Sequence, residues 1–200
     1  MSRKEVPPTA MKRLFDVVVA ATGLVVFSPL LLLIFLLQKV CSKGPALFKQ
    51  ERIGKGGEAF FIYTFRTMDV NTEENGLPQL AEVNDERLTT LGKFLRTHHL
   101  DEMPQLWNVL KGDMSFVGYR PERKFFIEKI MAVRPDYERL YAIRPGVTSL
   151  ATIYNGYTYT MEKMIRRLDM DLDYLEHHSF FGDIKILAQT FIYITFGKKF

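Results

Sequence analysis

The stretch Leu14–Leu37 reads LFDVVVAATGLVVFSPLLLLIFLL, and it decides how the rest of the chain can be arranged. Apolar residues occupy 19 of its 24 positions, and Asp16 is its only charged residue. A straight helix of this length would reach about 36 Å, which is enough to cross a hydrocarbon core of about 30 Å. A cleaved signal peptide is a poor alternative, because the apolar stretch is too long and no small-x-small cleavage site follows it. The stretch therefore predicts a membrane segment.

Two features favour a re-entrant hairpin over a single span. Proline removes a backbone donor and clashes with the preceding turn, so the helix should break at Ser28-Pro29. Basic residues flank the stretch on both sides, whereas a spanning segment usually shows an imbalance of lysine and arginine. We expect a helix–break–helix that enters and leaves by the cytosolic face, and a proline-kinked spanning helix is the alternative. The flanking residues are Arg3, Lys4, Lys12 and Arg13 on one side and Lys39, Lys43, Lys49 and Arg52 on the other.

Composition limits the remainder to one small domain. The 200 residues carry a formal net charge of +4, which suits a membrane surface or a phosphorylated substrate as well as a nucleic acid. The single cysteine, Cys41, cannot form an internal disulfide, which favours a reducing cytosol. We predict a mainly helical α+β fold in which residues 1–40 carry the re-entrant hairpin. Residues 41–200 are expected to form a small cytosolic, membrane-associated domain with a β-hairpin and interfacial amphipathic helices.

Local patterns predict the elements of that domain. Apolar stretches on both sides of Gly54-Lys55-Gly56-Gly57 predict a β-hairpin between Pro45 and Met68. The polar stretch Asp69–Arg87 predicts a surface loop. Leu106, Trp107 and Leu110 are expected on the buried side of a helix. The predicted helices are Leu88–Thr97, Asp101–Leu110, Glu122–Tyr141, Met161–His177 and an interfacial helix in Ile184–Phe200 that ends with Lys198-Lys199.

The densest polar cluster surrounds Asp101 and Glu102. Proline is tolerated in a helix only in its first turn, so Pro104 places both carboxylates at a helix start. The positive end of the helix dipole should keep them ionised. An ionised aspartate beside a divalent cation and an arginine suits phosphoryl transfer, as nucleophile or as metal ligand. The alternative is an aspartate N-cap followed by a first-turn glutamate with no further role.

Arginines beside turn-forming residues are the second set of candidates. Arg120, held between Tyr119 and Pro121, suits bidentate capture of a phosphate, although a turn with a surface arginine is an equally good interpretation. Arg66 and Arg144 stand in similar settings. Asp169–Asp173 lacks the glycine and glutamate of a calcium loop and is interpreted as a solvated helix face. No recognition helix or RNA-binding motif appears, so we expect no nucleic-acid partner.

Taken in order, these segments resemble the bacterial sugar transferase family, the small monotopic phosphoglycosyl transferases. The resemblance extends over about residues 10 to 190, and its most specific part is the block from Arg96 to Gly118. The matching segments are Lys12–Asp16, the Ser28-Pro29 break, Gln50–Gly54, Tyr63–Met68, Arg96 with Leu100–Gly118, Arg120-Pro121 and Arg144–Thr148.

The resemblance implies a reaction, a cofactor and a location. Members transfer a sugar-1-phosphate from a UDP-sugar to a polyprenyl phosphate such as undecaprenyl phosphate, release UMP and need Mg²⁺, as the first membrane step of glycan assembly. It implies a monotopic protein on the cytosolic face of the bacterial inner membrane, among phospholipids, and leaves a homo-oligomer open. Asp101 is the implied nucleophile, and Asp101 and Glu102 are the implied catalytic and metal-binding pair. The implied substrate-binding residues are Arg66, Arg96, Arg120, Pro121 and Arg144.

The sequence departs from the family pattern at two places. Tyr119 replaces the first proline of a Pro-Arg-Pro element, which bears on contact with the nucleotide. Ser149–Thr152 replaces Gly-Leu-Ala-Gln, which bears on the choice of sugar. The rival interpretation is an inactive, membrane-anchored scaffold of a glycan assembly complex. The Asp101-Glu102 pair with Arg96 favours the enzyme, because a scaffold has no need of paired carboxylates.

Overall fold

The computed structural model describes residues 10–42, 44–69, 85–156, 158 and 160–196. These residues form a mainly helical α+β fold with two small sheets, as predicted. The α-helices are α1 (Ala10–Val26), α2 (Ser28–Cys41), α3 (Thr90–Thr97), α4 (Gln105–Lys111), α5 (Lys124–Val133), α6 (Leu150–Asn155), α7 (Met161–His177) and α8 (Phe180–Phe196). The strands are β1 (Leu47–Ile53), β2 (Ala59–Phe65), β3 (Ser115–Val117) and β4 (Gly146–Thr148). Most of the predicted Asp69–Arg87 loop, the flanking Arg3, Lys4 and Lys43, and Lys198-Lys199 lie outside the described residues.

The apolar stretch forms a bent pair of helices. The bend between α1 and α2 measures 60° and lies at Phe27, immediately before Ser28 and Pro29. Proline sits in the first turn of α2, where its missing N–H costs no hydrogen bond. Among the described helices none is alone long and apolar enough to cross a membrane, whereas α1 and α2 together meet that test by length and composition. The predicted break is therefore confirmed.

Polar residues of α1 tie this helix pair to the rest of the chain. Lys12 donates to the carbonyl oxygen of Val117 at 2.9 Å and pairs with Asp183 at the start of α8. Arg13 donates to two carbonyl oxygens at the end of α4 at 2.6 and 2.9 Å, and Asp16 accepts from a backbone N–H of β3 at 3.2 Å. We refer to Lys12, Arg13 and Asp16 as the anchor residues, because each holds α1 against a different part of the domain.

Strands β1 and β2 form the predicted hairpin. They pair antiparallel, from Leu47 opposite Phe65 to Ile53 opposite Ala59. The turn between them needs two residues with positive φ, and glycines supply both, with φ 74° at Gly56 and 78° at Gly57. At the far end of β2, Phe65 is buried in an apolar cluster with α2 and α3.

The main core lies between α5, the 3₁₀ segment Pro135–Ala142 and α7. Tyr119 is fully buried there, so its side chain packs in the core. Tyr119, at the position where the resembling family has proline, thus fills part of the core. The neighbouring sheet pairs β3 with β4 in parallel, and its backbones approach so closely at Gly118 and Gly146 that a Cβ at either would collide with main-chain atoms.

Two predictions about burial need correction. Leu106 and Leu110 of α4 are partly buried, but Trp107 is half exposed, and the most buried residues of the helix are Gln105, Asn108 and Val109. The hydrophobic pattern did not predict this face, because it contains a buried asparagine. Strand β2 satisfies the polar side-chain atoms of Asn108. Asp171 of α7 is buried rather than solvated. The Arg120 backbone and the Ser149 side chain lie near its carboxylate, whose Oδ1 has no hydrogen-bond partner within the described residues.

Candidate active site

A tight turn between α3 and α4 presents the two carboxylates. His99 adopts the left-handed region with φ 53°, which ends α3 sharply and starts the 3₁₀ turn Leu100–Glu102. Pro104 then caps α4, which begins at Gln105. The predicted single helix over Asp101–Leu110 is thus a 3₁₀ turn followed by a shorter α-helix, and both carboxylates precede that helix.

Asn108 fixes this turn against the hairpin. Its Oδ1 accepts from the Tyr63 N–H at 3.1 Å, and its Nδ2 donates to the Phe61 carbonyl at 2.7 Å, so it pairs with β2 as a neighbouring strand would. Since Asn108 is fully buried, each lost bond would leave an unsatisfied group. The turn that carries Asp101 and Glu102 is therefore attached to a rigid unit formed by α4 and the β1–β2 hairpin.

Glu102 pairs with the arginine that the sequence singled out. Arg120 Nη2 lies 3.0 Å from Glu102 Oε1. Burial alone would raise the pKa of Glu102, but the Arg120 guanidinium and its hydrogen bond hold that pKa below its ordinary value. The Glu102 charge in turn raises the pKa of Arg120. The pair therefore stays ionised, and Arg120 remains only partly exposed above the turn.

Asp101 behaves differently from its neighbour. Burial and the adjacent Glu102 charge raise its pKa to about 7, against the opposing attraction of Arg96 and Arg120. The prediction that the helix dipole keeps both carboxylates ionised is therefore wrong for Asp101 on its own, since it is only part-ionised at neutral pH. Its Oδ1 is buried and has no hydrogen-bond partner within the described part of the chain.

A buried ion cluster that the sequence analysis missed holds the chain segment that carries Arg120. Glu122 pairs with Arg167 of α7 and with Arg52 of β1, the latter at 3.0 Å. Arg52 also donates to the Pro121 carbonyl at 3.1 Å, and Arg167 donates to Thr158 at 2.8 Å. Arg52 lies in the matched Gln50–Gly54 segment, but its partner 70 residues away carried no local signal.

The carboxylate pair fits a magnesium ion supplied together with a phosphate ligand. Mg²⁺ is commonly held by one or two carboxylates with substrate phosphates and waters completing the shell. Asp101 and Glu102 offer hard oxygen donors, and the unpartnered Asp101 Oδ1 is the kind of atom a cation would satisfy. The described residues contain no group of three or more acidic, histidine or cysteine side chains that could hold a metal alone.

The structure brings four of the predicted site residues together: Asp101, Glu102, Arg96 and Arg120 interact electrostatically. Pro121 follows Arg120 directly and is buried, with its carbonyl bound by Arg52. The other two are not part of this electrostatic group. Arg144 Nε donates to the Gly112 carbonyl at 2.7 Å, at the other end of α4. Arg66 is buried beyond the end of β2, beside Gln38 of α2.

Fold and site together define an α+β domain, tied to a bent apolar helix pair, that presents an acid pair beside two arginines. Such a site suits phosphate-containing ligands. The family description "Bacterial sugar transferase" matches residues 8–197. The chain belongs to the bacterial sugar transferase family.

Individual relatives support this membership. The chain is 44% identical over 181 residues to the UDP-glucose:undecaprenyl-phosphate glucose-1-phosphate transferase of Caulobacter vibrioides, covering 90% of this chain and 67% of that one. It is 38% identical over 180 residues to the UDP-N-acetylgalactosamine-undecaprenyl-phosphate N-acetylgalactosaminephosphotransferase of Aeromonas hydrophila, covering 90% of this chain but 42% of that one. It is also 38% identical over 200 residues to the exopolysaccharide production protein PSS of Rhizobium leguminosarum, covering 95% and 98%.

Proposed function

We propose that this chain transfers a sugar-1-phosphate from a UDP-sugar to undecaprenyl phosphate or a related polyprenyl phosphate and releases UMP. The activities for which the Caulobacter and Aeromonas relatives are named support this reaction class. The observation that carries the proposal for this chain is the Asp101-Glu102 turn with Arg96 and Arg120 around it.

Asp101 is the proposed nucleophile. Its carboxylate oxygen attacks the phosphorus that bears the sugar, the bond from that phosphorus to the bridging oxygen breaks, and UMP leaves with the electron pair. The product is an aspartyl phosphosugar. Burial and the adjacent Glu102 charge raise the pKa of Asp101, so its carboxylate is more basic than that of an ordinary aspartate.

Arg120 and Arg96 are proposed to bind the pyrophosphate. The Glu102 carboxylate fixes the Arg120 guanidinium through the 3.0 Å contact, so its remaining N–H groups keep one direction. When bound by Asp101 and Glu102, Mg²⁺ would supply further neutralisation of the phosphate charge. The fixed arginine offsets charge that accumulates on the departing UMP.

The second step returns the enzyme to its starting state. An oxygen of the lipid phosphate attacks the aspartyl phosphosugar, and the bond from Asp101 to phosphorus breaks. The lipid then carries the sugar through a diphosphate, and the carboxylate is regenerated. The bent pair α1–α2 supports a re-entrant, monotopic placement on the cytosolic face of the bacterial inner membrane, the surface at which the lipid acceptor presents its phosphate.

The test is UMP release by detergent-purified protein supplied with Mg²⁺, undecaprenyl phosphate and a panel of UDP-sugars that includes UDP-glucose and UDP-N-acetylgalactosamine. We expect release with one sugar, lost on Asp101→Asn. Asp169→Asn is the matched control, because that carboxylate is exposed and pairs with Arg134 far from the turn. Silence across the panel in folded wild-type protein, or full activity of Asp101→Asn, would refute the proposal and favour an inactive scaffold.

A further inference from the structure

Among the described residues, Arg66 is a buried cation without a counterion. Its residue is 7% exposed, and neither Nη1 nor Nη2 has a hydrogen-bond partner within the described structure. Arg167, the other arginine among the buried polar residues of the described chain, pairs with Glu122 and donates to Thr158. A buried guanidinium is normally retained with its partner, because an unpaired charge in the interior is strongly unfavourable.

The backbone of Arg66 is held firmly in place. Its N–H donates to the Ala46 carbonyl at 3.0 Å, and its carbonyl accepts from Gln38 Nε2 at 2.6 Å. Gln38 is fully buried near the end of α2, and its Oε1 has no partner among the described residues. The position therefore combines a preorganised cation with a second unsatisfied polar atom on the neighbouring helix.

This position adjoins both the catalytic turn and the apolar helix pair. Phe65 and Leu100, which directly precede Arg66 and Asp101, belong to the same apolar cluster. Leu30, Leu31 and Ile34 of α2 complete that side of the cluster. Arg66 thus lies beside the C-terminal part of α2, next to an apolar cluster that also contains the residue preceding Asp101.

We propose that the Arg66 guanidinium binds the phosphate of the polyprenyl acceptor, an inference that rests on the proposed function. A phosphate offers the planar fork of arginine two oxygen acceptors, and arginine stays charged even when buried. Both Nη atoms are shielded in this structure, so a small side-chain movement must admit the phosphate. Arg96 and Arg120 are thereby left for the donor, and the two substrates use separate cations.

The first test is thermal unfolding of the detergent-purified full chain, with and without undecaprenyl phosphate. Arg66→Met removes the unpaired charge but keeps an apolar stem. We therefore expect the melting temperature of the ligand-free variant to be about 2–4 °C above that of wild type. Undecaprenyl phosphate should raise the melting temperature of wild type and of the exposed control Arg139→Met, but not that of Arg66→Met. A ligand-free variant that melts well below wild type would show a structural role and overturn the inference.

Matched ligands identify the group that is bound. Undecaprenol, which lacks the phosphate, should give no Arg66-dependent shift. Inorganic phosphate should give a small shift that Arg66→Met removes. If undecaprenol stabilises wild type as strongly as undecaprenyl phosphate, the lipid chain and not the phosphate is recognised, and the inference is wrong.

Kinetics separate this inference from the proposed function. Exchange of labelled UMP into the UDP-sugar needs only the donor half-reaction, so Arg66→Met should retain it while the KM for undecaprenyl phosphate rises at least tenfold. Loss of exchange together with transfer would assign Arg66 to the donor and overturn the inference. Absence of both reactions in wild type would instead refute the proposed function, and the melting experiment would still test phosphate binding.

Discussion

Neutralising Glu122 tests whether the buried ion cluster holds the chain segment that carries Arg120. The Glu122 and Arg167 side chains are 9% and 8% exposed, so their charges are poorly screened by solvent. Glu122→Gln keeps the size of the side chain and one acceptor, but it leaves Arg52 and Arg167 without a counterion. Removing one partner of a buried pair costs about 3–5 kcal/mol, and the retained acceptor places this change near the lower end.

A loss of about 3 kcal/mol lowers the melting temperature of a protein of this size by about 6–12 °C. The assay is thermal unfolding of the full chain in detergent, followed by the fluorescence of Trp107, the single tryptophan. Glu176→Gln is the matched control, because both side chains of the Glu176–Arg139 pair are exposed. Its melting temperature should equal that of wild type.

The reasoning fails if Glu122→Gln melts within about 2 °C of wild type, a shift that corresponds to less than 1 kcal/mol. A double variant sharpens the test. Replacing Glu122 by Leu and Arg167 by Met removes both charges of the inner pair. It should recover the part of the stability lost by Glu122→Gln that is due to the unpaired Arg167, while Arg52 keeps its hydrogen bonds to Gln50 and Pro121.

Three further predictions concern single positions. Gly118→Ala should destabilise the chain by about 1–3 kcal/mol, because the added Cβ meets backbone atoms of Arg144–Gly146. The control Gly182→Ala should cost much less, because its Cβ meets only the Ser179 hydroxyl. Equal melting temperatures of the two variants would contradict this. Burial raises the pKa of Asp171 to about 7, so the folded chain retains a proton there that the unfolded chain releases near pH 4, and stability from this group falls as pH rises from about 4 through 7. The melting temperature of Asp171→Asn relative to wild type should therefore increase as pH rises across that window. Thermal unfolding at several pH values measures this, and a constant difference would refute the assignment. His99→Val should melt below His99→Asn by about 2–8 °C, since the positive φ of 53° costs a β-branched residue about 1–2 kcal/mol more than asparagine; identical melts would show that the turn relaxes.

Local signals were enough for several elements. The glycine-rich turn flanked by apolar stretches predicted the β1–β2 hairpin, and the Met161–His177 periodicity predicted α7 with its observed bounds. The Ser28-Pro29 break was also predicted, because proline acts on the turn beside it. Each of these features depends on residues close together in the chain.

The features that sequence reasoning missed depend on distant partners. Asn108 binds a strand 47 residues away, and no periodicity rule anticipates a buried amide face. The raised pKa of Asp101 follows from burial in the folded chain, which outweighs the dipole argument made from its local position. The pairing of Arg120 with Glu102 was within reach, since both lie in the matched blocks, whereas the capping role of Arg144 at Gly112 was not.

The anchor residues have a consequence for how the protein matures. Arg13 satisfies the last carbonyls of α4, Asp16 holds a backbone N–H of β3, and Lys12 ties α1 to α8. A chain in which α1 has not yet packed against the domain lacks all three contacts, so the helix behind the Asp101-Glu102 turn would have a frayed end. Docking of α1 is therefore a late step that completes the support of this turn. We expect the site to be fully ordered only after α1 has docked.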